Sequence, residues 1–265
     1  MKLRQLKEAL QDVAVFEQPK IALEQYPTTA ELAAHLLYTA QMSYGDIEGK
    51  VVGDLGVGSG VLTIGAMLLD AAEIWAFDID EDALRQTCVN IESFDTAQDE
   101  RIEEDRADRV EGCYKTIVTE NGMTIKCIHL DIVGQDVPSK QSSGKPAGES
   151  ILTHQSRIAP HPNWVPYERR FDTVMMNPPF GTRLKGADLI FVEAACYMAK
   201  TAIYSLHKSS TRSFIQTKFS RARKDGWSGQ VIAQLRFNIE ASYSFHKKAS
   251  ADIEVDLWRF SRDAI

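Results

Sequence analysis

Among residues that could do chemistry, Asn177-Pro178-Pro179-Phe180 come first, preceded by the apolar run Phe171-Asp172-Thr173-Val174-Met175-Met176 and followed by Gly181. An exocyclic amine on a purine is a poor nucleophile because its lone pair is delocalised into the ring. Two fixed acceptors, the Asn177 side-chain oxygen and the Pro178 main-chain carbonyl, can hold both hydrogens of such an amine and turn its nitrogen toward tetrahedral geometry. The lone pair then faces an electrophilic methyl sulfonium, and no strong base is needed before transfer. Successive prolines restrict the backbone around that carbonyl, so the acceptors are pre-organised. Phe180 offers a flat apolar face on which a splayed-out base can stack. A bare N-P-P-F could be only a turn, and a lone Phe180 only a core aromatic. Its place at the carboxyl end of a central strand favours the chemical reading.

A second group of residues suits a nucleoside cofactor. The stretch Asp54-Leu55-Gly56-Val57-Gly58-Ser59-Gly60 runs from a predicted strand directly into an apolar helix that begins near Val61. Glycines at alternate positions allow a tight turn and close approach of backbone to a ligand. The spacing is G-x-G-x-G rather than the dinucleotide G-x-G-x-x-G, and no G-K-[ST] is present for a nucleoside triphosphate. Asp78, eighteen residues after Gly60, ends the next strand, where a carboxylate can accept hydrogen bonds from ribose hydroxyls. Asp80 suits a helix N-cap better than a ligand. Asp131, after the third strand, can reach the adenine edge. Three successive strand ends thus each deliver a polar group where a nucleoside would lie.

The elements that must position these residues are short strands over 51–55, 73–77, 124–130, 171–176, 201–205, 229–237 and 253–260. They alternate with helical periodicity over 31–41, 61–69, 82–93, 188–199 and 212–224. Such alternation implies an α/β fold, a doubly wound, mainly parallel sheet that binds ligands outside the carboxyl ends of its strands. At 265 residues with 44% hydrophobic content, one enzyme-sized domain over 1–265 is expected. Two insertions, at about 95–122 and 138–168, interrupt it. The first is acidic; the second is rich in Ser, Gly, Pro and Gln, reads as a long surface loop, and neither can form a core of its own.

The net charge of −7 is unevenly spread. Residues 95–120 hold nine acids and four bases, whereas 200–248 hold ten Lys or Arg against Asp225 and Glu240. A charge run is often only a solvated helix face, but the basic half permits a polyanionic partner. The four cysteines form no C-x-x-C pair, and there is neither a basic apolar leader nor an 18-residue apolar run. A soluble intracellular protein with reduced thiols, no membrane association and no metal is expected. His207 and His246 are isolated and suit structural or phosphate-facing roles better than metal binding.

Several segments are more specific than this general pattern. Leu23-Glu24-Gln25-Tyr26-Pro27-Thr28, the Asp54–Gly60 loop, Phe77-Asp78-Ile79-Asp80-Glu81-Asp82-Ala83-Leu84 and Met176-Asn177-Pro178-Pro179-Phe180-Gly181-Thr182 are four of them. Tyr204-Ser205-Leu206-His207-Lys208-Ser209-Ser210-Thr211-Arg212, Phe245-His246-Lys247-Lys248 and Asp252-Ile253-Glu254-Val255-Asp256-Leu257 complete the set. Together they resemble the methyltransferase-like protein 5 family of eukaryotic small-subunit ribosomal RNA adenine-N6 methyltransferases, over nearly the whole chain outside the insertions. The resemblance implies a seven-stranded class I methyltransferase (Rossmann-like) sheet whose last strand is antiparallel, and S-adenosyl-L-methionine as cofactor. It implies cofactor contacts from Gln25, Thr28, Asp54, Gly56, Gly58, Ser59, Gly60, Val61, Asp78 and Asp131, with catalysis by Asn177, Pro178, Pro179 and Phe180. RNA contacts are expected from Lys208, Arg212, Lys247 and Lys248.

The resemblance further implies a small zinc-binding activator subunit. Strand 124–130 is expected at the sheet edge, where a bare apolar strand would invite aggregation and a partner strand would satisfy it. The nucleus, nucleolus and cytoplasm are the expected locations. Val57 and Ser59 stand where the family commonly has cysteines, and the loop after Phe180 is shortened. The same acceptors would also suit a protein glutamine-N5 or DNA adenine methyltransferase, and a chain that kept the fold without the chemistry would be an RNA-binding scaffold.

Overall fold

The computed structural model describes residues 1–16, 18–95, 112–134, 160–219, 225–240 and 250–262. Eight strands form one sheet: β1 (Val51–Leu55), β2 (Glu73–Asp78), β3 (Cys113–Val118), β4 (Thr124–His129), β5 (Phe171–Met176), β6 (Ala199–Lys208), β7 (Trp227–Glu240) and β8 (Ser250–Arg262). Their spatial order is β3-β4-β2-β1-β5-β6-β8-β7. The five central strands β4, β2, β1, β5 and β6 are parallel, and β8 is antiparallel to both neighbours. Among the described residues six α-helices flank the sheet: α1 (Leu3–Leu10), α2 (Ala30–Tyr44), α3 (Val61–Leu68), α4 (Glu81–Phe94), α5 (Ala187–Met198) and α6 (Arg212–Lys218).

Period-two alternation in the strands builds two separate cores. Ile74 and Ala76 of β2 face the core made with α1 to α4, while Trp75 and Phe77 face the core made with α5 and α6. Each face is covered, which is why the central strands read as nearly continuous apolar runs. In the second core Phe77 packs edge-on against Tyr167 and Phe171, with ring centroids 5.0 and 5.7 Å apart. Tyr167 belongs to a 3-10 segment, Pro162–Tyr167, at the end of the second expected insertion. That end is therefore ordered structure fixed to the core; residues 135–159 of the insertion lie outside the described residues.

Strand 124–130 was expected at the sheet edge, and the structure corrects this. β4 lies between β2 and β3, and the seven expected strands become eight because β3 arises from the first insertion. Cys113-Tyr114-Lys115-Thr116-Ile117-Val118 is rich in β-branched and aromatic residues, and the chain reverses through Thr119, whose carbonyl accepts from Gly122 and whose amide donates to Met123. The Asn121-Gly122 pair between two such runs is a hairpin signal. An apolar strand is thereby shielded in cis. α1 also precedes every helix that periodicity predicts, burying Leu6 and Leu10 beneath α2 and α3.

At the opposite side β8 joins β6 through the register from Ala202↔Ser261 to Lys208↔Val255, and β7 with β8 continues beyond that register as a two-stranded ribbon. The junction is fixed by Asp256, which has no exposed surface. Its carboxylate accepts from Arg212 Nε and Nη2 at 2.7 and 2.6 Å and from Ser209 Oγ at 2.7 Å. Arg212, expected at an RNA surface, forms a bidentate pair with this carboxylate while its side chain stays 33% exposed. Removing the guanidinium leaves a buried, uncompensated carboxylate. Arg212→Gln is expected to lower the urea midpoint of unfolding, because a buried carboxylate loses its cation, and Arg212→Met with Asp256→Leu to recover most of it. Wild-type stability with weakened RNA binding would return Arg212 to the surface role.

Candidate active site

The carboxyl ends of β1, β2, β4 and β5 open into a cavity of about 340 Å³. Its floor is the loop that leaves β1. The amides of Gly56 and Val57 donate to the Phe77 carbonyl at 2.8 and 2.9 Å, and the Gly58 amide donates to Asp78 Oδ2 at 3.0 Å. Gly58 and Gly60 have φ of 60° and 87°, which side chains with a Cβ adopt poorly, and a Cβ on Gly60 would lie 2.9 Å from Thr87. α4 braces the loop from behind: Thr87 Oγ1 donates to the Gly58 carbonyl, and Asn90 Nδ2 donates to the carbonyls of Ser59 and Ala14. Thr87 and Asn90 are not foreseen by the motif, since nothing in a helical heptad marks which polar residue turns inward.

Gly56, Gly58, Ser59, Val61, Asp78, Asp131, Gln25 and Thr28 line the cavity, joined by Glu24, which lies in the 23–28 segment but was given no role, and by Phe16, which no motif singled out. Asp54 and Gly60 do not reach it. Asp54 lies behind the loop at 1% exposure, accepting from Thr63 Oγ1 at 2.8 Å, and burial pushes its carboxyl up to about 7. Gly60 caps the start of α3. Asp78 accepts from Asp80 N through its other oxygen, at 2.9 Å; burial pushes it up to about 6, against the opposing pull of these amide bonds.

Asp80 is the N-cap of α4, accepting from Asp82 N at 3.1 Å. It also anchors the N-terminal segment, accepting from Lys20 Nζ at 2.5 Å and Gln25 Nε2 at 2.7 Å. Gln25 Oε1 in turn accepts from Lys20 N at 2.7 Å. Asp131 folds its own loop, with Oδ1 accepting from Val133 N and Gly134 N, both at 2.9 Å. Asn163 Nδ2 and Trp164 Nε1 donate to the carbonyls of Asp131 and Ile132 at 2.9 Å, so the end of the second insertion steadies this cavity wall.

On the opposite wall Asn177 and Pro179 line the cavity, whereas Pro178 is buried and Phe180 sits outside it, half-buried. Asn177 Nδ2 donates to Thr28 Oγ1 at 2.9 Å. That bond leaves Asn177 Oδ1 buried with no hydrogen-bond partner among the described residues. Lys208 Nζ, expected as an RNA contact, stands 5.3 Å from the centroid of the Phe180 ring. Lys247, Lys248 and His246 lie outside the described residues. His207 is buried, with Nε2 2.8 Å from Ser205 Oγ and Nδ1 3.7 Å from Asp188, in agreement with a structural role. No cluster of three metal-capable side chains occurs among the described residues, and no helix there is long and apolar enough to cross a membrane.

Comparison with known proteins agrees with this geometry. A family model described as ribosomal protein L11 methyltransferase (PrmA) matches residues 26–121, which is the cofactor half and stops short of Asn177. The rRNA N(6)-adenosine-methyltransferase Mettl5 of Drosophila melanogaster is 41% identical over 98% of this chain and 96% of its own. METTL5 of Danio rerio, with the same description, is 40% identical over 98% and 99%. The crystal structure of PH1948 from Pyrococcus horikoshii superposes with a TM-score of 0.66 at 27% identity, covering 99% of this chain and 96% of that one. Near-full-length identity at this level, together with the glycine loop, the strand-end carboxylates and the Asn177–Phe180 motif on one cavity, shows that the chain belongs to the METTL5 family of rRNA N(6)-adenosine-methyltransferases.

Proposed function

We propose that this protein transfers the methyl group of S-adenosyl-L-methionine to the N6 amine of an adenine in structured RNA, specifically small-subunit ribosomal RNA, giving N6-methyladenosine. The observation that carries the reading is the buried acceptor Asn177 Oδ1, on a residue of the cavity wall, which has no hydrogen-bond partner among the described residues. A buried acceptor left unpaired costs about 1–3 kcal/mol. A donor brought by a ligand removes that penalty, and an exocyclic amine is such a donor.

The cavity fits the cofactor. The glycine loop, Asp78 and Asp131 all line it, and this supports reading Asp78 as the acceptor for ribose hydroxyls and Asp131 as the contact to the adenine edge. When bound, the cofactor supplies an electrophilic methyl on a sulfonium. Asn177 Oδ1 and the Pro178 carbonyl then hold the two amine hydrogens and aim the nitrogen lone pair. Phe180 lies outside the cofactor cavity on the RNA side, where its ring can stack on the flipped base while Lys208 faces a neighbouring phosphate.

The small zinc-binding activator subunit belongs to this proposal and rests on the resemblance alone. A strand it added at that side of the sheet would meet β3, because β4 is already paired on both sides. A nuclear, nucleolar and cytoplasmic location, where ribosomal RNA is made and used, is likewise part of the proposal.

Two outcomes are expected. Asn177→Ala should slow methyl transfer to total ribosomal RNA by about a hundred- to a thousandfold, measured with labelled cofactor and nucleoside digestion. Label in protein instead of RNA would point to a glutamine amide as the acceptor. Second, ribose binding needs the ionised Asp78, so cofactor affinity should be level above about pH 7 and fall about tenfold per unit below pH 6. Asp78→Asn should abolish that slope. The sign for the fold is opposite. Both Asp54 and Asp78 are raised from 3.8, so the folded chain holds these protons more tightly than the unfolded one. Their stabilising contribution to the ligand-free fold is complete below about pH 4 and is lost as pH rises to about 6 for Asp78 and about 7 for Asp54.

A further inference from the structure

Glu24 is a carboxylate of the cavity wall to which the proposed reaction gives no role. It is 8% exposed, and it adopts the left-handed conformation with φ of 54°, unusual for a residue other than glycine, asparagine or aspartate. Its Oε1 accepts from the Arg183 amide at 2.7 Å, across 159 positions of sequence. Its Oε2 is buried and has no hydrogen-bond partner among the described residues. A carboxylate oxygen in that situation is costlier than a neutral one, because the charge is withdrawn from water without compensation. Strained backbone and an unpaired buried charge at the same position are the combination expected of a group kept for a ligand.

The ligand must bring a cationic donor. The other carboxylates of the wall are assigned to the nucleoside end of the cofactor: Asp78, which also accepts amides with both oxygens, to the ribose, and Asp131, which caps its own loop, to the adenine edge. Lys20, the ammonium nearest in sequence, pairs with Asp80 and Asp82. The proposed cofactor has two positive groups. Its sulfonium has no N–H to donate, whereas the α-ammonium of its methionine portion has three.

Resting on the cofactor reading above, we propose that Glu24 is the carboxylate that recognises the α-ammonium group of the cofactor. Because Oε1 holds Arg183 while Oε2 faces the ligand, one side chain ties the amino-acid portion of the cofactor to the segment that follows the Asn177–Phe180 motif. Glu24 is therefore a binding group for the cofactor and a positioning residue for the catalytic wall.

Titration calorimetry with two nucleosides tests this without RNA. S-adenosylhomocysteine carries the α-ammonium and lacks the sulfonium; 5′-methylthioadenosine lacks the whole amino-acid portion. Glu24→Gln keeps an oxygen for Arg183 and removes the charge. It is expected to weaken S-adenosylhomocysteine by about ten- to a hundredfold and to leave methylthioadenosine unchanged, with the ligand-free melting temperature preserved. Glu24→Asp, which keeps the charge on a shorter stem, should fall between Gln and wild type. Equal weakening of both nucleosides would mean that Glu24 only shapes the cavity, and no weakening of either that it is not a contact; each overturns the assignment while the cofactor reading stands. A wild-type protein that binds neither nucleoside would overturn the cofactor reading and this assignment with it.

Discussion

The hydrogen bond from Asn177 Nδ2 to Thr28 Oγ1 fixes more of this molecule than its single distance suggests. A side-chain amide has a donor end and an acceptor end, and a half-turn exchanges them. Thr28 engages the donor end, so the acceptor end is the one left at the cavity wall. The two residues come from opposite ends of the chain's logic, Asn177 from the rigid end of β5 and Thr28 from the segment that precedes α2. Thr28 is in turn held in place because Thr29 caps α2 and Gln25 is tied to Asp80 at the start of α4. The polarity that this amide presents therefore depends on how well the N-terminal segment is fastened to α4.

Charge is distributed in the same spirit. The cavity wall is acidic, with Glu24, Asp78 and Asp131, and Asp54 lies just behind it. Burial raises Asp54 and Asp78, a sign that the fold holds these carboxylates at some expense to itself. That arrangement suits a small cationic ligand. Lys208, by contrast, stands at the Phe180 ring on the outer side of the motif, where a polyanion would approach. A net charge of −7 is thus compatible with an RNA substrate, because the two partners meet surfaces of opposite character.

Much of this was legible in the sequence, for a physical reason. β5 matches the expected 171–176 to the residue, and β1 matches 51–55, because strands buried on both faces are continuous apolar runs bounded by turn residues. Gly58, Asp78 and Asn177 were identifiable because their positions at strand ends are local facts. What was hidden depends on contacts between distant segments. Asp256 as the partner of Arg212, Thr87 and Asn90 as braces and Glu24 as a latch on Arg183 are defined only once the chain is folded. β3 is the instructive exception: the Asn121-Gly122 turn was in plain view, but the acidic residues before it drew the reading toward an irregular insertion.

β3 precedes β4 by only a five-residue turn, which makes their pairing the most local contact in the whole sheet. β6, at the other side, must wait for β8, some forty positions later in the chain. On the ribosome the two flanks of the sheet therefore close at different times. The β4 flank can be sealed while the C-terminal third is still unsynthesised, because loop closure over a few residues is fast. The β6 flank stays open until β8 has been made. Any helper that attends this nascent chain has its longest window on the β6 flank, and its shortest on the flank that the acidic insertion carries a strand to cover.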